Sequence, residues 1–266
     1  MEMQEQEQQI VQQQKKTESN YGAWFLIPLV VALCGIFSLA SDWKETLTIQ
    51  RVAVSGAHII AAKDIVALAN IQPQAAMYET DLFAVQLRLL AQPIIKTAVV
   101  TRELPNALYI EIVEREPIAA LGNSQLSYID SEGMILPHVS STTFDLPIIS
   151  GIAGLDTARF GHVFNQSDIV DAIHILESAQ AVNMYRAISE VSMNNGGDII
   201  LYSNEAGVPI VIGRGDIENK LVKLESFWNQ YAKSDVIAQL HSVDLRYEGQ
   251  VVVKWNKQKE PKKLSM

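Results

Sequence analysis

Residues 94–114 read IIKTAVVTRELPNALYIEIVE, and this stretch decides how the region around it folds. Pro105 lies in a Leu-Pro-Asn segment between two runs of mixed apolar and polar residues, which favours a tight turn. In the second run, Leu108, Ile110 and Ile112 fall on one side of an extended chain, because successive side chains of a strand point to opposite faces. The sequence therefore predicts two strands around this turn, residues 94–103 and 107–114.

One more strand and two helical segments precede this stretch. Residues 48–56, TIQRVAVSG, alternate valine with polar residues and stop at a glycine, a pattern typical of a strand. Residues 62–70 and 81–91 each place apolar side chains on one helical face, and Pro93 bars continuation of the second helix. The order strand-helix-helix-strand-strand predicts a small sheet with two helices packed on one face.

Short strands dominate the sequence from Ile118 onward. Residues 126–136 contain the turn Asp-Ser-Glu-Gly between apolar runs, which predicts a hairpin. Two helices interrupt the strands: residues 167–182, with Ser167 as the N-terminal cap, and residues 216–231, which carry an apolar stripe. Further strands are predicted at residues 188–193, 199–202, 208–213, 242–247 and 251–255.

A long apolar segment lies near the start of the chain. Residues 23–40 read AWFLIPLVVALCGIFSLA, and residues 19–41 contain no aspartate, glutamate, lysine, arginine or histidine. At about 1.5 Å per helical residue the apolar centre would be about 27 Å long, which suits a hydrocarbon core of about 30 Å. These features predict one transmembrane helix, residues 21–42, preceded by a glutamine-rich tail, residues 1–20, whose composition favours disorder.

A cleaved signal peptide is the alternative interpretation of this segment. Ser38 and Ala40 are small residues that suit a cut before Ser41. The apolar run is longer than the about 7–15 residues usual in a signal peptide, and acidic, glutamine-rich residues precede it. We therefore prefer an uncleaved anchor. Charge leaves its orientation open, since lysines flank one side of the segment while Lys44 and Arg51 flank the other.

Composition and motifs argue against several classes of function. A net charge of −9 disfavours nucleic acid as a partner. The single cysteine, Cys34, lies inside the apolar segment, so we expect no disulfides. The histidines are scattered without ligand spacing, the chain lacks a Walker A loop and a G-x-S-x-G elbow, and residues 213–216 (GRGD) fit a strand-to-helix turn. We therefore predict no metal site, no cofactor, no small-molecule substrate and no catalytic residue.

Several short segments follow one another along the chain in a recognisable order. They are IQRVAVSG (49–56), VTRELPNALYIEIVEREPIA (100–119), SYIDSEGMILP (127–137), DLPIISG (145–151), PIVIGRGD (209–216), NKLVKLESFW (219–228) and VDLRYEGQVVVKW (243–255). By these segments and their order, the chain from the apolar segment to Trp255 resembles the FtsQ/DivIB family of bacterial cell-division proteins.

The resemblance implies an α+β architecture, with a single transmembrane helix followed by a POTRA domain and a β-rich domain with two helices. The POTRA domain would take residues 47–116 in the order β-α-α-β-β, which agrees with the pattern of strands and helices. The β domain would take residues 117–256, and residues 257–266 would form a flexible tail. The family's topology places the N-terminal tail in the cytoplasm and the bulk of the chain outside the inner membrane, at the division septum.

The resemblance also implies a function and a binding site. The chain would be a non-enzymatic scaffold that holds the FtsB–FtsL pair and helps to recruit and regulate the septal peptidoglycan synthase and other division proteins. In this family the last strand offers its edge to FtsB, with a tyrosine and a tryptophan as anchors. Those anchors match Tyr247 and Trp255, and Arg246 matches their basic neighbour. The remaining residues of the expected edge are Gln250, Val251, Val252, Val253 and Lys254.

The sequence departs from the family pattern at one place and leaves two other classes of function open. Some members carry an arginine before the glycine-flanked strand, where this chain reads Asn-Asn-Gly-Gly at residues 194–197. The resemblance therefore does not extend to a salt bridge from that face. The two other classes are a POTRA-bearing export or assembly component of the envelope and an anchored envelope enzyme with a site assembled from distant residues.

Overall fold

The computed structural model describes residues 21–139, 142–194, 196–231 and 237–256. The predicted tails, residues 1–20 and 257–266, lie outside the described residues. The described chain divides into two compact units. The first takes in the residues up to Ala53, Asn70–Val85 and Val100–Ile110, and the second takes in Val54–Ala69, Gln86–Val99 and the residues from Glu111 onward.

The apolar segment forms a helix, α1 (Tyr21–Thr46), with Pro28 inside it. The structure describes the side chains of this helix over residues 26–38, where the large apolar ones are exposed, from Val30 at 54% to Phe37 at 75%. Among the described residues, no helix combines the length and the hydropathy needed to cross a membrane.

The predicted order strand-helix-helix-strand-strand is confirmed in the region that follows. The three strands form one sheet in the order β1-β3-β2. Along β3, Leu108, Ile110 and Ile112 are buried while Glu111 and Val113 are exposed, so the alternation read from the sequence is confirmed. The elements are β1 (Arg51–Ser55), α2 (Ala62–Ala69), α3 (Leu82–Leu90), β2 (Ile95–Glu103) and β3 (Ala107–Glu114).

Local hydrogen bonds and packing explain two features of this region. Asp81, predicted as the first residue of the second helix, instead precedes α3 and caps it: its Oδ1 accepts the backbone N–H groups of Phe83 and Ala84 at 3.0 and 3.1 Å. In the first compact unit, a buried apolar cluster surrounds Met77, which is fully buried, with Ile49 and Leu108 as its other buried members.

The remaining strands form one nine-stranded sheet in the order β12-β11-β10-β9-β8-β7-β4-β5-β6. Its helices are α4 (Ser167–Ala181) and α5 (Ile217–Tyr231). Its strands are β4 (Pro117–Leu121), β5 (Ser127–Asp130), β6 (Ile135–Pro137), β7 (Ile148–Ser150), β8 (Ile188–Met193), β9 (Ile199–Ser203), β10 (Pro209–Val211), β11 (Leu240–Asp244) and β12 (Val252–Trp255).

Both helices are crossover connections between parallel strands. The helix α4 joins β7 to β8 and α5 joins β10 to β11, and each of these strand pairs is parallel. Parallel neighbours need such a crossover, and crossovers in one sheet are almost always right-handed. Because both connections step toward β12, one handedness places both helices on the same face of the sheet. Buried residues of both helices accordingly belong to one apolar core.

One row of the sheet forms the floor of this core. In this row, one residue from each of six neighbouring strands is paired with the next. These residues are fully or nearly fully buried, except at the β12 end, where Val253 is half-buried. The row therefore carries the core out to the last strand. It consists of Ile149, Val191, Leu201, Ile210, Val243 and Val253.

Two predicted boundaries are wrong, and the second affects the site. The cap position of α4 is Gln166, and Ser167 is already the first helical residue. The strand predicted at residues 242–247 is shifted toward the N-terminus, since β11 ends at Asp244. Arg246 and Tyr247 therefore lie in the connection to β12 and not in the strand.

Candidate functional site

The candidate site is the edge strand β12. It pairs antiparallel with β11 through Asp244↔Val252 and Val243↔Val253, and an irregularity follows before Leu240↔Trp255. Among the described residues, no strand pairs with its other side. An exposed strand edge offers backbone N–H and C=O groups to an added strand.

The two predicted anchors are exposed, one before β12 in the sequence and one at its end. Tyr247 lies in a bend after β11 with 54% of its surface accessible, and Trp255 is the last residue of β12 with 49% accessible. These fractions exclude core positions for both rings. Aromatic side chains of this size that stay accessible beside an open edge are suited to contact a partner.

The predicted edge residues divide between the core and solvent. Val251 and Val253 are partly buried and pack against the apolar core, whereas Lys254 is exposed. The backbone N–H of Gln250 donates to the carbonyl oxygen of Tyr247 at 3.3 Å and so closes the turn into β12. The valines on the core side hold the strand in place, while its outer edge stays accessible.

Arg246 does not project freely toward solvent. Its Nη2 donates to Asp244 Oδ2 at 2.7 Å, and its Nη1 donates to Asp198 Oδ2 at 2.9 Å. Hydrogen bonding to Asp244, with the negative charges of Asp244 and Asp198, raises the pKa of the Arg246 guanidinium. The same hydrogen bond from Arg246 lowers the pKa of the Asp244 carboxyl. The basic residue beside the edge is thus already paired within the chain.

The segment that lacks the family arginine, residues 194–197, is contacted by an arginine from another loop. Arg214 Nε donates to the carbonyl oxygen of Gly197 at 2.9 Å. Its Nη2 lies 2.6 Å from Asp168 Oδ1, and its Nη1 pairs with Asp171, both near the start of α4. These hydrogen bonds, that to Asp168 first, raise the pKa of Arg214. The GRGD stretch therefore forms the predicted turn between β10 and α5, and its arginine joins this turn to α4.

Sequence reasoning missed two residues of this site, Asp198 and Gly213. Asp198 directly precedes β9, and Gly213 follows β10, so each is separated from Arg246 by more than thirty residues of chain. No local spacing links them to Arg246. The strand order β11-β10-β9-β8 was the missing information, because it brings the loops at one end of these strands together.

The described residues contain no arrangement that suggests catalysis by a metal. Within residues 21–139, 142–194, 196–231 and 237–256, no three histidine, cysteine, aspartate or glutamate side chains come together as a metal site.

Comparison with known proteins agrees with this architecture. Residues 47–115 match the family described as "POTRA domain, FtsQ-type", and residues 116–254 match "FtsQ/DivIB, C-terminal related". The protein from Geotalea daltonii named "Cell division protein FtsQ" is 28% identical over 244 residues, which cover 90% of this chain and 87% of that protein. Proteins of the same name from Rhodothermus marinus and Salinibacter ruber are each 28% identical, and the matches cover 85% and 88% of this chain and 83% and 91% of the relatives.

The two matched domains together take in residues 47–254 and place the chain among bacterial cell-division proteins. The chain belongs to the FtsQ/DivIB family. The resemblance read from the seven sequence segments is thereby confirmed.

Proposed function

We propose that the chain is a non-enzymatic scaffold of the division septum that binds the FtsB–FtsL pair through the open edge of β12. Membership of the family supports a role in cell division. The observation that supports the binding site is an outer edge with which no strand of the described residues pairs, together with two accessible aromatic rings, Tyr247 and Trp255. Through this complex the chain helps to recruit and regulate the septal peptidoglycan synthase and other division proteins.

Strand addition explains how such an edge binds. A partner segment laid along β12 forms main-chain hydrogen bonds, and pockets for alternate side chains supply the selectivity. Tyr247 and Trp255 are large side chains with few rotatable bonds, so ordering them on binding costs little entropy. Because Val253 belongs to the core row, packing supports the position of the strand in the absence of a partner.

Truncation of the two aromatic side chains tests the proposed site. We expect Tyr247→Ala or Trp255→Ala to weaken binding of the full-length protein to the purified FtsB–FtsL pair by about 2 kcal/mol or more, which corresponds to about thirtyfold in Kd. Phe83→Ala is the matched control, since Phe83 is an exposed aromatic residue of α3. Melting temperatures should stay unchanged in all three variants. Undiminished binding in both edge variants would show that the site lies elsewhere.

We further propose that α1 is an uncleaved anchor, with residues 1–20 in the cytoplasm and the domains outside the inner membrane. The apolar run of residues 23–40 supports this proposal, since 18 helical residues are about 27 Å long and suit a hydrocarbon core of about 30 Å. The exposed apolar side chains over residues 26–38 suit a lipid environment. Mass spectrometry of the mature protein tests this proposal. A chain that begins at Ser41 would identify a signal peptide instead.

The proposed domains are a POTRA domain, residues 47–116, and a β domain, residues 117–256. The POTRA domain serves as a second protein-binding module. Fluorescence of the tagged full-length protein in dividing cells tests the cellular role, with accumulation at the septum as the expected result. An even distribution over the envelope would favour an export or assembly component instead.

A further inference from the structure

We propose that Arg246 is a positioning residue: it ties the β11–β12 connection to neighbouring loops and so presents Tyr247, and it is not a contact for an acidic side chain of the partner. This inference rests on the proposed function, in which Tyr247 anchors the partner. The family resemblance identifies Arg246 only as a basic residue next to the anchors, and the inference gives it a specific role. Its basis is the set of contacts that Arg246 makes inside the chain.

The guanidinium of Arg246 bridges two loops at the same end of the sheet. Its Nε and Nη2 donate to the two oxygens of Asp244, at 3.0 and 2.7 Å, in the two-bond geometry that arginine forms with a carboxylate. Its Nη1 donates to Asp198 in the β8–β9 loop, at 2.9 Å. The backbone N–H of Arg246 also donates to Asp244 Oδ1, at 3.0 Å. Both the main chain and the side chain of this residue are therefore held.

The aliphatic part of Arg246 is held by a third loop. It passes over Gly213, where an added Cβ would lie 2.9 Å from Arg246 Cγ. Gly213 also has a positive φ of 65°, so a glycine is favoured there by both the backbone conformation and the close approach. The loops after β8, β10 and β11 thus meet at one arginine side chain.

This arrangement leaves Tyr247 between fixed points. Leu245, two residues earlier, is buried, and its N–H donates to the carbonyl oxygen of Val211 at 2.9 Å. On the other side, the N–H of Gln250 donates to the carbonyl oxygen of Tyr247. With Arg246 held as well, the tyrosine is presented in a restricted set of positions. Such restriction reduces the ordering cost of binding.

The internal ion pairs disfavour an acidic partner side chain at Arg246. Two carboxylates, Asp198 and Asp244, already face its guanidinium, and Lys254 is a further cation that acts on Asp244. A partner carboxylate would have to compete with these internal pairs and approach the two carboxylates that form them. The aromatic ring of Tyr247 and the β12 edge remain the attractive features of this surface.

Removing Asp198 separates the positioning role from a direct contact. We expect Asp198→Asn to weaken binding of the full-length protein to the purified FtsB–FtsL pair by about three- to tenfold, in the same direction as Arg246→Met, because each change releases the loop. The double variant should bind no worse than Arg246→Met alone, since both act through one link. A direct contact predicts the opposite: Asp198→Asn would free the guanidinium, so binding would stay unchanged or become tighter. That result would overturn the inference.

Three controls complete the experiment. Glu248→Gln removes one negative charge, as Asp198→Asn does, but from an exposed side chain of the β11–β12 connection, and it should leave Kd unchanged. Arg246→Lys should bind as weakly as Arg246→Met, because an ammonium cannot form the two-bond link to Asp244 and also reach Asp198. Binding of Arg246→Lys at the wild-type level would indicate a simple charge contact. Amide hydrogen exchange over residues 245–251 should become faster in Asp198→Asn, and unchanged exchange would overturn the inference independently of binding.

The outcomes also separate this inference from the proposed function. If Tyr247→Ala and Trp255→Ala weaken binding while Asp198→Asn does not, the edge site stands and only the positioning role of Arg246 is wrong. If neither aromatic variant weakens binding, the edge site itself is wrong and the inference falls with it.

Discussion

Asp130, the last residue of β5, is expected to be among the most sensitive positions for stability in the β-rich region. Its side chain is only 5% exposed, and its Oδ2 accepts Arg115 Nη1 at 2.6 Å. Its Oδ1 accepts the backbone N–H groups of Glu132 and Met134, at 2.9 and 2.8 Å, within the β5–β6 turn. One carboxylate therefore satisfies a nearly buried arginine and the turn of a hairpin.

The magnitude follows from what each substitution removes. Asp130→Asn keeps an oxygen for the two turn N–H groups and loses the charge-assisted bond to Arg115, which costs about 1.5–3 kcal/mol of unfolding free energy. Asp130→Ala also leaves the two backbone N–H groups without this acceptor, at about 1 kcal/mol each. The expected cost of the alanine variant is therefore about 3.5–5 kcal/mol, in the range for breaking a buried ion pair from one side.

Denaturant unfolding measures both costs, with fluorescence of the buried Trp228 as a reporter of the core. Glu132→Gln is the control, because Glu132 also pairs with Arg115, at 2.7 Å, but its side chain is 50% exposed. We expect a much smaller shift of the midpoint in this control. Equal shifts for Asp130→Asn and Glu132→Gln would refute the argument that burial determines the cost.

Three further predictions concern pH, backbone conformation and domain independence. Arg246 lowers the pKa of the Asp244 carboxyl in the folded protein, so the Arg246–Asp244 ion pair stabilises the fold fully above the unfolded pKa of about 3.9 and is lost as the pH falls through the lower folded pKa. The difference in unfolding free energy between wild type and Asp244→Asn should therefore shrink only in that acid range. A difference that does not depend on pH would contradict this prediction. Gly56→Ala should lower the unfolding free energy by more than about 2 kcal/mol, since φ is +78° and the new Cβ would lie 1.9 Å from a backbone oxygen. Gly197→Ala has a similar φ of +81° but no atom within 4 Å of the new Cβ, so it should cost only about 1 kcal/mol. Thermal unfolding of the two variants measures both costs. A fragment of residues 45–117 should show a cooperative thermal transition by circular dichroism, and a gradual change would contradict an independent POTRA domain.

Elements with a strong local pattern were predicted well. The alternation of Leu108, Ile110 and Ile112 identified β3 with the observed bounds, and the periodicity of residues 217–231 identified α5. Such patterns arise because a strand repeats every two residues and a helix every 3.6, so neighbours in sequence report on the burial of a face. Boundaries that depend on partners were predicted less well, as with β11, which ends at Asp244 because its pairing with β10 and β12 ends there.

By itself the sequence determined the alternating and helical segments, the apolar segment at residues 23–40 and, through the family resemblance, Tyr247 and Trp255 as candidate anchors. Only the tertiary structure decided that β12 is the last strand of a nine-stranded sheet and that Asp198 reaches Arg246. The reason is physical: side-chain periodicity is a local property of the chain, whereas strand order follows from which crossovers bury the most apolar surface together. Contacts between loops forty-eight residues apart exist only once that order is established.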